Sequence, residues 1–379
     1  MILSEEHQMI RASVRDFASE KLWPTAGMRD ETYAFPHEEL AMAAELGLLG
    51  LTVPTKWNGA GLDYLAAAIA IEELAAGDGA FSTIVSVHNS VGCGPILAFG
   101  TPAQKDNYLM KLAAGEYLAS FCLTEPQVGS EAGAIKTRAV KDDDSYVLNG
   151  AKQFITNGKN SKLAIVIAVT DPAKGKKGLS AFIVPTNTPG YTVARVEKKL
   201  GQAASDTCAI VLDDCRIPAA NLLGQEGEGY KVALASLESG RIGIAAQALG
   251  MARSAYECAL RYSKERITFG KPIFEHQAVN FRLADMATQL EAARQLIWHA
   301  ACLKDAGQPC LKEASMAKLF ASEMAERVCS DAIQVHGGYG YLCDFPLERI
   351  YRDVRVCQIY EGTSDIQRIV IGRAIGDEV

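Results

Sequence analysis

The spacing of apolar residues changes twice along the chain, and this limits the possible folds more than any single motif does. Up to about residue 115 the spacing is helical. Ile10, Val14 and Phe17 share one face, Pro36 opens a second helix ending near Gly47, and Asp63 introduces a third through Ile69 and Leu74. Thr101-Pro102-Ala103-Gln104 combines an N-cap, a proline at the first helical position and a capping-box partner. Gly59-Ala60-Gly61 follows Pro54 outside any strand-to-helix context, so it reads as a turn rather than a phosphate cradle. From about 116 to 228 short apolar runs alternate with turn residues: 118–123, 146–148, 154–156, 164–169, 179–184 and 209–212. Asn149-Gly150 is expected to be a hairpin loop and Asn157-Gly158 a turn, with a solvated hairpin tip at 171–177. Beyond Gly229 the helical period returns in long segments near 229–265, 276–306, 311–335 and 364–375, which suit an antiparallel bundle. The expected fold class is α+β: an N-terminal helical domain (1–115), a small β-barrel or sandwich domain (116–228) and a C-terminal four-helix bundle (229–379).

Charge and cysteine usage narrow the function. Lys and Arg total 38 against 45 Asp and Glu, a net charge of −7 with no long basic run, so nucleic acid is not an expected partner. No apolar run is long enough to span a bilayer, so no membrane association is expected. The start, Met1 to His7, lacks the pattern of a secretory or transit signal. The ten cysteines include no CxxC pair and no Cys/His cluster at metal-ligand spacing, so no metal is expected and the thiols read as reduced and structural. The expected location is cytoplasmic (bacterial-type), or matrix for a processed mature chain.

One C-terminal stretch stands out. In Ile359-Tyr360-Glu361-Gly362-Thr363-Ser364-Asp365-Ile366-Gln367 a single carboxylate sits between an aromatic residue and a glycine, just before a new helix. Ser364 and Gln367 fit a capping box, which leaves Glu361 in a non-helical link able to aim a side chain and backbone N–H groups at one small target.

Two motifs far apart in the chain resemble one family. Leu123-Thr124-Glu125-Pro126-Gln127-Val128-Gly129-Ser130-Glu131-Ala132-Gly133 resembles the first signature of the acyl-CoA dehydrogenases. Gln334-Val335-His336-Gly337-Gly338-Tyr339-Gly340 through Tyr360-Glu361-Gly362-Thr363-Ser364 resembles the second. The likeness covers essentially the whole chain and is closest to the short-chain (butyryl-CoA) branch, with Arg241-Ile242-Gly243-Ile244-Ala245 in support. Glu131 departs from the commoner Asp, which touches only local capping.

The resemblance implies FAD between the β domain and the bundle, and α,β-dehydrogenation of an acyl-CoA to a trans-2-enoyl-CoA. Phe121, Leu123, Thr124, Gly129 and Ser130 would lie along the flavin. Phe154, Ile155 and Thr156 would cover the ring and reach its N5 side, orienting and tuning a cofactor that carries the redox chemistry. Arg266, Thr268, Phe269 and Gln277 match positions that reach the FAD of a neighbouring subunit, in what is usually a homotetramer, and a guanidinium fork suits a diphosphate. Gln334, Gly337 and Gly338 match the turn at the adenosine end. Thr363 and Asp365 would be further flavin contacts.

Glu361 matches the family's catalytic base, taking the α-proton while hydride leaves for flavin N5, with electrons then passing to an electron-transfer flavoprotein. Some relatives carry the base at the position of Gly240, which here has no side chain. Burial should raise the pKa of Glu361. Its backbone N–H would polarise the thioester carbonyl, and Gly362 would leave room for the thioester. Ser130, Glu238, Arg241 and Tyr360 would line the substrate channel. The alternatives are an acyl-CoA oxidase, which hands electrons to O2, and a non-catalytic flavin-binding nucleic-acid or scaffold protein of the same fold.

Overall fold

The structure, a computed structural model, describes residues 2–376 and 378. Its first helix, α1 (Glu5–Phe17), starts where the Ser4 hydroxyl accepts the His7 N–H, with Glu5 and Glu6 placed to favour the positive helix end. It leads through a π-helical turn into α2 (Trp23–Thr32), and α3 (His37–Glu45) follows Pro36. Asp63 caps α4 (Tyr64–Gly77) by accepting from Ala66 N, and Asp78 caps α5 (Gly79–Val87) in the same way through Phe81 N. Three short helices complete this part: α6 (Gly94–Phe99), α7 (Pro102–Gln104) and α8 (Met110–Ala113). The capping box of Thr101 and Gln104 is fully formed on α7.

The middle of the chain is an eight-stranded sheet. Its strands are β1 (Ala119–Cys122), β2 (Arg138–Asp142), β3 (Ser145–Thr156), β4 (Leu163–Val169), β5 (Leu179–Pro185), β6 (Tyr191–Val196), β7 (Thr207–Pro218) and β8 (Leu222–Leu223), in the order β6-β7-β3-β2-β4-β5-β8, with β1 parallel to β4. β2 and β4 meet only at Arg138 and Val169. The sheet therefore divides into two halves, and Leu148, Val166, Phe182 and Ile210 fill a core between them. The outer face of β4 and β5 packs Ile165, Ile167, Ala181 and Ile183 against Leu109 and Leu112 of the N-terminal helices and Val232 of the C-terminal part.

One turn expectation fails. Asn149 and Gly150 lie inside β3, and the reversal into that strand falls instead at Asp143-Asp144, where Asp143 has φ 51°. Gly150 marks a register slip against β7, and a Cβ there would lie 2.5 Å from Thr137 Oγ1. The glycine thus serves close approach at a bulge rather than chain reversal. Asn157-Gly158 does turn the chain, with Asn157 at φ 62° just after β3.

The C-terminal part begins with α9 (Gly229–Glu265). A two-stranded ribbon of β9 (Ile267–Thr268) and β10 (Lys271–Pro272) follows, then α10 (Gln277–Asp305), α11 (Leu311–His336), α12 (Leu347–Val354) and α13 (Ser364–Gly376). Helices α9, α10 and α11 do not form a separate core. Ile69 and Leu74 of α4 and Phe81 and Ile84 of α5 share one apolar cluster with Leu249, Met286 and Met324. α4 packs so closely on α9 that a Cβ on Gly250 would lie 2.2 Å from Glu72 O. The two helical regions thus enclose α9 from both sides, and the link before α13 reaches it from a third.

Candidate active site

The link joining the turn at Arg355–Gln358 to α13 reverses the chain with two left-handed residues, Glu361 (φ 51°) and Gly362 (φ 96°). A left-handed glutamate is uncommon and costs on the order of 1–3 kcal/mol, so the surroundings must hold it. The Gln367 amide donates to Gly362 O at 2.9 Å and to Glu361 O at 3.4 Å, and Lys318 Nζ, from α11, donates to Gly362 O at 2.7 Å. Tyr360, one residue before the base, is anchored by its hydroxyl, which donates to Gln247 Oε1 of α9 at 2.5 Å.

The expected capping box is not formed. The Thr363 hydroxyl accepts the Ile366 N–H at 3.3 Å and caps α13, while Ser364 Oγ is buried without a partner. Gln367 turns back to the two carbonyls instead of closing a box, because a link with two left-handed residues presents those carbonyls to it.

The Glu361 carboxylate points at α9. Both oxygens are buried with no hydrogen-bond partner, and Oε2 would lie 1.9 Å from a Cβ at Gly240. Burial raises its pKa to about 7, against the opposing pull of the Lys318 and Arg241 cations. Arg241 is buried and donates to Ser315 Oγ at 3.2 Å, while its Nε has no partner. Burial lowers the Arg241 pKa, and the Glu361 and Glu238 charges oppose that shift. Glu238 pairs with Lys304 at 3.0 Å and accepts from Cys310 Sγ.

Along the same stretch of α9 lies a cavity of about 220 Å³ between α4, the turn after α5, α6 and α9. Ile71, Ser86, Asn89 and Leu97 line it opposite Ser239 and Gly243. A Cβ on Gly243 would lie 2.6 Å from Ser86 Oγ, so the glycine keeps this passage from closing.

The sheet contributes a second set of groups. Glu125 is buried and accepts the N–H of Lys136 (2.6 Å) and Thr137 (2.8 Å) and the Nζ of buried Lys152 (2.9 Å). This anchor fixes the segment carrying Thr124, Gly129 and Ser130, and Gly129 has open space where a Cβ would be. Phe121 and Thr124 are half-buried, and Ser130 is exposed. A slip in β3 between Lys152 and Ile155 turns Phe154 outward, 64% exposed at φ 59°. Thr156 is half-buried beside it. The side chains of Leu123 and Ile155 are buried in the domain's cores, so of the expected flavin contacts these two can offer only main chain.

A third group gathers where α9 meets the end of α11. Arg266, Thr268, Gln334, Gly337 and Gly338 line a groove with Tyr262 and Tyr339, the Arg266 cation lying 5.9 Å from the Tyr339 ring. Phe269, at the ribbon tip, is 96% exposed, and Gln277 is exposed at the start of α10. Asp365 is exposed and pairs with Arg368.

Three family descriptions fit successive parts of the chain: "Acyl-CoA dehydrogenase, N-terminal domain" at residues 4–116, the middle domain at 120–215 and the C-terminal domain at 227–376. The chain belongs to the acyl-CoA dehydrogenase family. It is 48% identical over 369 residues to the mitochondrial short-chain specific acyl-CoA dehydrogenase of Rattus norvegicus, covering 97% of this chain and 90% of the relative. Butyryl-CoA dehydrogenase from Megasphaera elsdenii superposes with a TM-score of 0.97 at 43% identity, covering 99% of each chain. A chain solved in work on the electron transferring flavoprotein of Acidaminococcus fermentans superposes with a TM-score of 0.98 at 44% identity, again covering 99% of each. As an acyl-CoA dehydrogenase of the short-chain type, the protein is an FAD-dependent oxidoreductase acting on acyl-CoA.

The residues present fit the cofactor. An outward aromatic ring at Phe154, an open glycine at Gly129 and a glycine turn at 337–338 with room around both residues are the parts a flat ring and a diphosphate need. Among the described residues no group of three or more His, Cys, Asp or Glu could hold a metal ion, and no helix is long and apolar enough to cross a membrane.

Sequence reasoning did not single out Lys318, Gln247 or Lys152. Lys318 had a visible signal: it interrupts the stripe Ala314, Ala317, Ala321, Ala325, where a cation belongs only if something inside the fold needs it. The other two are polar residues whose partners lie far away in sequence.

Proposed function

We propose that this chain dehydrogenates a short-chain acyl-CoA across Cα–Cβ to the trans-2-enoyl-CoA, with Glu361 taking the α-proton. The observation that carries this reading is the Glu361 carboxylate: buried, without a hydrogen-bond partner, and with its pKa raised to about 7. A desolvated carboxylate is a stronger base than an exposed one and is poised near neutral pH. The Cα–H bond breaks towards Glu361, its electron pair stays on the substrate, and Lys318 and Arg241 keep the empty carboxylate from binding a proton too tightly. FAD, when bound, supplies the hydride acceptor for the Cβ hydrogen.

The backbone supports the same step. The Glu361 and Gly362 carbonyls are held by Gln367 and Lys318, and among the described residues the Glu361 N–H donates in no hydrogen bond. It is therefore available to the thioester oxygen as negative charge develops there, a type of contact that contributes about 3–4 kcal/mol in other enzymes. The cavity beside Gly243 takes the acyl chain. Phe154, Thr156 and the Thr124 segment hold the flavin ring, while Arg266 and the groove at Gln334–Gly338 serve the FAD of a neighbouring copy in a homotetramer.

The electron acceptor in this reading is an electron-transfer flavoprotein, and likeness to the chain from the Acidaminococcus work supports it. The location is cytoplasmic, in keeping with ten free thiols. The test is anaerobic addition of butyryl-CoA to FAD-replete protein, followed by a panel of longer and branched acyl-CoAs. Bleaching of the yellow flavin by the short-chain members is expected. No bleaching by any acyl-CoA would overturn the reading, and rapid reoxidation by air would replace it with an oxidase.

A further inference from the structure

We propose that Lys318 is a positioning residue for proton abstraction, holding the backbone of the base and setting the pH range in which the base is free. The inference rests on Glu361 acting as the base. Lys318 is completely buried on α11, and its Nζ donates to Gly362 O at 2.7 Å. Burying an ammonium without a carboxylate in contact is costly, and a structural need for one hydrogen bond to a carbonyl could be met by a neutral amide. Gln367 already meets that need from the other side, donating to the same oxygen at 2.9 Å. What Gln367 cannot supply is charge.

The charges around the base explain why charge is useful there. Glu361 is the carboxylate of the pocket, and two buried cations flank it, Arg241 on α9 and Lys318 on α11. Cys357 on the turn before the link and the Tyr360 hydroxyl are the other titratable groups on this side. Both are held neutral by burial, with pKa values raised. Glu238 faces Arg241 but is paired with Lys304, and Asp365 on α13 points to solvent.

Burial alone would leave Glu361 protonated and inert as a base over most of the neutral range, and the cations oppose this. Burial also lowers the Lys318 pKa, to about 8, and the Glu361 charge opposes that shift. The Lys318 charge is thus largely present at the pH where Glu361 is half ionised. The same side chain holds the left-handed Gly362, so the position of the carboxylate and its readiness are set together.

The experiment separates charge from hydrogen bonding. Lys318→Met, Lys318→Gln, Lys318→Arg and Gln367→Leu are compared with wild type as FAD-replete proteins, by anaerobic stopped-flow bleaching with butyryl-CoA between pH 6 and 9. Without substrate, the infrared band of the protonated Glu361 carboxyl, identified by its loss in Glu361→Gln, is titrated over the same range. Removing a neighbouring cation raises a carboxyl pKa. Lys318→Met and Lys318→Gln should therefore move both midpoints up by about one pH unit and slow bleaching at pH 7 by about fivefold, with most of the rate recovered at pH 9. Lys318→Arg should keep the wild-type midpoints. Gln367→Leu should lower the rate equally at every pH and leave the midpoints in place. Coincident wild-type and Lys318→Gln midpoints would overturn the proposal. A wild type that bleaches with no acyl-CoA would instead remove the reading on which it rests.

Discussion

Oε2 of Glu361 stands where a side chain on Gly240 would begin, 1.9 Å from the position of a Cβ there. The two positions at which a base could sit thus exclude one another in space: a side chain at 240 and a carboxylate from 361 cannot share this pocket.

Gly240→Ala tests this directly. Alanine should favour the helix by about 1 kcal/mol, yet its methyl group must push the carboxylate away from its place on α9. Unchanged or higher thermal stability is expected, together with bleaching by butyryl-CoA at least about tenfold slower, read in single-turnover stopped flow. Wild-type rates would show that the carboxylate moves freely and that its contact with Gly240 has no bearing on catalysis.

Glu361→Gln should keep FAD and lose bleaching by a factor of about 10²–10⁴. Its stability should also change with pH in a defined direction. A carboxyl whose folded pKa is raised from the ordinary 4.5 to about 7 keeps its proton longer in the native state. Its contribution is full below pH 4.5 and is lost as pH rises through 7, a difference of about 3 kcal/mol. Glu361→Gln should therefore match wild type near pH 4.5 and exceed it in thermal midpoint at pH 8. Equal midpoints at pH 8 would mean that the carboxylate is solvated.

Glu125 and Lys152 form a buried ion pair 2.9 Å apart under the segment that carries Thr124 and Gly129. Lys152→Met leaves the carboxylate with two backbone N–H groups, the Gln127 amide and no cation, at a cost of about 3–5 kcal/mol. Loss of FAD on gel filtration and a lower unfolding midpoint are expected. The double change Lys152→Met with Glu125→Gln should recover part of the stability.

Arg266→Ala removes the cation over Tyr339 in the groove at the end of α11. FAD content after dialysis and mass by light scattering should both fall, while bleaching per bound flavin stays near wild type. Full FAD retention in a tetramer would contradict a cofactor shared between copies.

The alternation of helical and strand periods, the capping residues Asp63 and Thr101, and the bounds of the long helices were legible in the sequence because they are local. Each depends on side chains within four residues of the backbone they cap or bury. Asn149-Gly150 misled because the same dipeptide serves a hairpin and a bulge. The strand pairing that decides between them involves β7, some sixty residues away. Ser364 misled in a similar way: Thr363, one position earlier, reaches the same helix end once the link turns left-handed.

The sequence by itself determined the family, the order of helix, strand and helix, and the presence of a single glutamate at position 361 with a glycine at 240. Only the tertiary structure decided what that glutamate is. Its lack of partners, its contact with α9, the two cations beside it and the grip of Lys318 and Gln367 on its backbone come from segments as near as α13 and as far as α9, about 120 residues away, brought around one link. Burial and charge at a point depend on everything packed around it, and no local pattern carries them.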